Sequence, residues 1–183
     1  MVIVVKKLTN TIIVISILLL VYYVYIHISP LDTKKVLLGI IGTILIIVPI
    51  ILEKFKYIKI EKYIKLIYYF FLLVAFILGG LFELYYSTIY FDLFVHGLFG
   101  LLLSIILGSR IKIDSFKNII RIISIVIFIG FIWESMEYFS DVFFKTDHQE
   151  KISGASDTMT DLLISIVGST IYIGYKKMNK AKI

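Results

Sequence analysis

The chain has no cysteine, two prolines, one tryptophan and three histidines in 183 residues. Without cysteine there are no disulfides, no thiolate metal sites and no lipidation at sulfur, and redox compartment leaves no mark on the sequence. Charge is also scarce, at 17% Asp, Glu, Lys and Arg against roughly 25% in soluble domains. Neither GxxxxGK nor GxGxxG occurs, which removes the common phosphate-cradling loops and any nucleotide site built on them. A signal-peptide cleavage site is missing too. The first apolar run follows Lys6 and Lys7 but ends in LVYYVYIHISP, with bulky tyrosines where small residues would be needed, so it is expected to be retained.

What is present is apolar. Hydrophobic residues make up 60% of the chain and mean hydropathy is +0.98, values of an integral membrane protein. Runs of 17 to 25 apolar residues read as spans. They predict an all-α, polytopic membrane helical bundle of about six transmembrane helices: Thr11–His27, Val36–Leu52, Leu66–Tyr86, Leu93–Ser109, Ile119–Tyr138 and Thr158–Tyr175. One transmembrane domain over residues 1–183 is expected. Helices one and two and a basic loop (1–65) lie at its periphery, and four helices (66–183) form the core around a polar site.

Net charge is +6, but its distribution says more than its total. Fifteen of the 19 Lys and Arg fall at the N-terminus, in the second and fourth loops and in the tail, whereas Lys34, Lys35, Lys145 and Lys151 lie in the alternate loops. The positive-inside rule then places both termini in the cytoplasm of a multi-pass cell-membrane protein. The basic loops face anionic lipid, and no nucleic acid is needed to explain them. Glu53–Lys65, EKFKYIKIEKYIK, reads as an interfacial turn resting on headgroups. Gly39, Gly42, Thr43 and Pro49 in span two are explained by close helix packing and a tolerated kink.

The acids are concentrated elsewhere. Asp92, His96, Gly100 and Ser104 follow one another at intervals of four in span four, so Asp92 and His96 are one helical turn apart. Gly130, Glu134, Glu137 and Asp141 share a narrow arc of span five, and Asp157, Asp161, Ser165 and Gly168 form a similar stripe on span six. With Glu83 at the end of span three, these acids converge at one membrane level, the extracytoplasmic one. Carboxylates in a low dielectric are expensive unless paired or functional; an isolated one costs roughly 3 kcal/mol on insertion scales.

No Lys or Arg occurs between Lys65 and Arg110 or between Arg121 and Lys145, which leaves His96 and, from the outer loop, Lys145 or Lys151 as neutralising partners. A bound cation satisfies the cluster more simply. Oxygen ligands with one imidazole suit Mn²⁺, Mg²⁺, Fe²⁺ or Zn²⁺. The expected metal ligands are His96, Glu134, Glu137, Asp157 and Asp161, with Glu134 and Glu137 also the candidate catalytic carboxylates, and with Asp92, Asp141 and Glu83 behind them. Asp92 would orient His96. Structural readings stand beside these. Ser156 or Asp157 could cap a helix whose N-terminal dipole favours both aspartates, Asp141 could end span five in water, and His96 could be a satisfied core histidine.

Known chemistries fit less well. A di-iron bundle uses Glu-x-x-His, whereas this chain has Asp-x-x-x-His and Glu-x-x-Glu. Gly154 and Ser156 supply a GxS as in rhomboid proteases, without the paired histidine.

The motifs DLFVHGLFG (Asp92, His96), WESMEYFSD (Trp133, Glu134, Glu137, Asp141) and SDTMTDLLISIVG (Asp157, Asp161, Gly168) together resemble the YjdF-like bacterial membrane proteins over the last two-thirds of the chain. That resemblance implies a polytopic inner-membrane protein and brings no established activity. A looser likeness to VanZ-type envelope proteins points to the cell envelope by analogy only. The functional expectation is a divalent-metal site at the extracytoplasmic face acting on a lipid-linked or envelope substrate. The alternatives are a proton- or cation-coupled transporter and a non-enzymatic envelope accessory protein.

Overall fold

The computed structural model describes residues 2–28, 33–57, 59–88, 90–144 and 154–180. All regular structure among them is helical: α1 (Val2–Ile28), α2 (Thr33–Lys54), α3 (Lys62–Leu72) continuing as a π-helical run (Leu73–Leu81), α4 (Leu84–Ser87), α5 (Phe91–Gly108), α6 (Phe116–Phe144) and α7 (Gly154–Lys180). The chain divides into two compact units, Met1–Phe91 and Asp92–Ile183.

Among the described residues five helical segments are long and apolar enough to cross a membrane, against the six expected. The segment that falls short is α7. At 27 residues it has the length, but Asp157, Asp161 and its Ser, Thr and Tyr residues dilute its apolar character. The acids that make it interesting are what lower its hydropathy.

In the first unit, α2 packs on α1 through glycine. A Cβ at Gly42 would lie about 3 Å from Leu20 of α1 and from Phe76. Pro49 lies inside α2 and cannot donate to the carbonyl of Leu45 four residues before it. The Tyr68 hydroxyl donates to that oxygen at 2.8 Å, and Tyr69 donates to the Ile46 carbonyl at 3.3 Å. The π-helical run was not apparent from apolar periodicity. It ends where the Phe82 amide donates to Ile77 O, five residues back, at 3.0 Å. A Cβ on Gly79 would sit 2.2 Å from the Tyr85 ring and one on Gly80 2.3 Å from a Leu38 methyl, so those side chains would have to shift to admit it. Glu83 follows in the left-handed region (φ 56°). Glu53 pairs with Lys65 and accepts from the Ile60 amide, tying down the basic turn.

The second unit is α5, α6 and α7. Ser115 precedes α6, and its hydroxyl accepts from the Asn118 amide at 3.3 Å, an N-cap. At this end Ile113, Ile122, Val126, Tyr172 and Ile173 form an apolar core. Further along, α5 and α7 meet backbone to backbone. A Cβ on Gly100 would sit 1.9 Å from the Ser165 carbonyl oxygen, and one on Gly168 would sit 2.0 Å from that of Gly97. Only residues without a side chain permit such an approach. Buried hydroxyls lock it: Ser104 donates to Ser169 at 2.6 Å, and Ser165 donates to the carbonyl of His96 at 3.2 Å.

Candidate metal centre

The same α5–α7 seam sets the spacing of the site residues. Asp92 and His96 occupy the first turns of α5, Asp161 the second turn of α7, and Glu134 the later part of α6. The His96 Nε2 atom lies 3.5 Å from Glu134 Oε1, 3.6 Å from Asp92 Oδ1 and 4.0 Å from Asp161 Oδ2. Asp92, His96 and Asp161 each present a ligand atom within 4.8 Å of the others. Hydrogen bonds between such groups run about 2.8 Å, whereas ligand atoms bound at about 2.1 Å to a tetrahedral ion are roughly 3.4 Å apart. The observed distances are nearer the second value.

Burial separates the members. The side chain of Asp161 is 1% exposed, Glu134 2%, His96 5% and Asp92 32%. Both carboxylate oxygens of Asp161 are buried without a hydrogen-bond partner among the described residues. An ionised carboxylate so placed bears a desolvation penalty of several kcal/mol unless something compensates it. The helix-cap reading does not apply to Asp161, because the described α7 begins at Gly154 and Asp161 is two turns inside it; only Asp157 remains in the first turn. Three carboxylates surround His96 Nε2, and among the described residues no hydrogen bond reaches its ring.

The structure sorts the expected site residues. It brings together His96, Glu134 and Asp161, and adds Asp92 to their ring: Asp92 faces the same nitrogen as the others rather than supporting the ring through the opposite one, the position of an orienting carboxylate. Glu137 accepts from its own helix, from Trp133 Nε1 at 2.8 Å. Asp157 is half-buried one turn before Asp161, and Asp141 is half-buried beyond Glu137; neither is in the ligand group. Glu83, in the first unit, is ion-paired with Lys35 at 3.0 Å, so it has a basic partner that the spacing along its own helix did not reveal. Lys145 and Lys151, the expected outer-loop partners, lie outside the described residues. Thr158 was missed. Its hydroxyl donates to Glu134 Oε2 at 3.1 Å, and its place one turn before Asp161 was the available signal.

A family model described as Predicted membrane protein (DUF2238) matches residues 11–180, and the chain belongs to that family, consistent with the YjdF-like resemblance. No curated protein and no solved structure matches it.

Proposed function

We propose that this membrane protein binds a divalent cation on Asp92, His96 and Asp161, with Glu134 beside it, and uses the ion on a lipid or envelope precursor. The observation that carries the reading is Asp161, whose buried oxygens have no hydrogen-bond partner among the described residues, with Oδ2 4.0 Å from His96 Nε2. An ion held there would act as a Lewis acid on an acyl or phosphoryl oxygen, or would activate water. Imidazole among carboxylates suits Mn²⁺, Fe²⁺ or Zn²⁺, and Mg²⁺ less well. Glu134, fixed by Thr158, is in place to take a proton from a water on that ion. If α7, with the length of a span, crosses as a sixth helix, the skew of Lys and Arg supports cytoplasmic termini and an extracytoplasmic site, where a lipid-linked substrate can reach it.

Transport is the competing reading. It needs a polar route onward from the site, but Ser165, Ser104 and Ser169 are spent on hydrogen bonds to each other and to backbone, and the apolar cluster of Ile122, Val126 and Tyr172 follows. Thermal unfolding in detergent tests the metal reading. Mn²⁺ or Zn²⁺ should raise the midpoint of wild type, as any ligand of the native state does, and leave Asp161→Asn unmoved. Equal shifts in the two proteins would reject the site.

A further inference from the structure

In the first unit, a short basic turn joins two segments long and apolar enough to cross a membrane, Lys35–Lys54 and Lys62–Leu81. Two backbone bonds close the end of α2: the Tyr57 amide donates to Leu52 O at 2.9 Å and the Lys56 amide to Glu53 O at 3.0 Å. This six-to-one bond around a five-to-two bond is the Schellman arrangement, and it places Lys56 in the left-handed region, at φ 61°. Glycine is the ordinary occupant of such a position, because a Cβ there is sterically costly. A lysine therefore stands where the backbone favours no side chain. Outliers of this kind point to a use for the side chain that is kept.

The neighbours of Lys56 are exposed with it. Phe55 is 64% exposed and Tyr57 76%, their ring centroids lie 6.4 Å apart, and Lys54 and Lys59 are exposed as well. At the start of α3, Lys62 Nζ lies 4.9 Å from the centroid of the Tyr63 ring. From Glu53 to Lys65 the chain carries lysines at 54, 56, 59, 62 and 65 and acids at 53 and 61. Glu53 is taken up within the turn, by Lys65 and by the Ile60 amide. Glu61 alone then stands against four lysines.

We infer that this turn is a binding site for the headgroup of an anionic phospholipid, with Lys56 as its central contact. Both of its ends run into apolar segments of spanning length, which keeps it at the membrane surface. The ammonium groups of Lys54, Lys56 and Lys59 meet the phosphodiester, and Phe55 and Tyr57 enter the boundary between headgroups and acyl chains, where aromatic rings are favoured. A free anion would match the lysines and leave the rings in water. An apolar protein surface would cover the rings and leave the lysines unmatched. An anionic lipid matches both. The site is independent of the metal centre, and it is narrower than the general attraction of basic loops for anionic lipid, because it assigns the binding to one turn and to a lysine held against its backbone preference.

Thermal unfolding of the purified protein in an uncharged detergent tests it. Phosphatidylglycerol should raise the midpoint of wild type, as a ligand of the native state does, and added salt should shrink that rise. Phosphatidylcholine and inorganic phosphate should each give little or none. The triple variant Lys54→Gln, Lys56→Gln, Lys59→Gln should lose most of the phosphatidylglycerol rise, and the control Lys112→Gln, Lys117→Gln, Arg121→Gln should keep most of it. Lys56→Gly separates binding from folding: without lipid its midpoint should exceed that of wild type, and its rise with phosphatidylglycerol should be smaller. An equal rise with phosphatidylcholine or phosphate, a full rise in the Lys54, Lys56 and Lys59 variant, or a Lys56→Gly protein with an undiminished rise would each overturn the inference.

Discussion

Gly100 of α5 lies so close to Ser165 of α7 that a Cβ on the glycine would sit 1.9 Å from the serine's carbonyl oxygen. Four residues before each of these positions stand His96 and Asp161, so the same crossing that excludes a side chain brings imidazole and carboxylate within 4.0 Å. Gly100→Ala must push backbones apart. A loss of roughly 1–3 kcal/mol is expected, together with weaker metal retention, measured by unfolding in detergent and by metal content. Gly174, whose Cβ would meet nothing within 4 Å, is the control. Gly174→Ala should be neutral or stabilising by up to about 1 kcal/mol.

Tyr68 completes a hydrogen bond that Pro49 cannot make. Tyr68→Phe should cost about 1 kcal/mol, and much less in a Pro49→Leu background, where an amide again serves Leu45. A double-mutant cycle by equilibrium unfolding reads the coupling. Additive costs would show that the hydroxyl does not act through Leu45.

Much of this was legible in the sequence, for identifiable reasons. Helical spacing alone placed Asp92 one turn from His96 and put Glu134 and Asp161 on stripes of small residues, because a membrane bundle has little else with which to write an interior. Which acids gather around His96 was less legible. It depends on side-chain reach across helices: Glu137 shares the arc of Glu134, yet Trp133 on the same helix takes its carboxylate. Glu83 and Lys35 are 48 residues apart, a pairing that no local pattern announces. The π-helical run is similarly hidden, since Leu73–Leu81 is uniformly apolar and carries no periodicity to shift.

Ser104 and Ser169 form a buried pair whose value lies in being complete. Ser104→Ala alone should destabilise by about 1 kcal/mol, by leaving one hydroxyl without its partner. The double replacement by alanine should cost less than twice that. Unfolding midpoints of the three variants decide it.

Topology is open to direct labelling because the natural chain has no cysteine. Ser156→Cys, at the site end of α7, should react in intact cells with a membrane-impermeant maleimide. Lys117→Cys, near the start of α6, should react only after permeabilisation. The reverse pattern would place the candidate site in the cytoplasm and remove an extracytoplasmic substrate.

The most direct measurement is metal content. Wild type purified without chelator and equilibrated with Mn²⁺ or Zn²⁺, then freed of excess ion, should retain about one ion per chain, as a single three-ligand site requires. His96→Ala and Asp161→Asn, each shown to be folded, should retain almost none. If wild type and both variants hold equally little or equally much metal, the carboxylates around His96 are not a cation site.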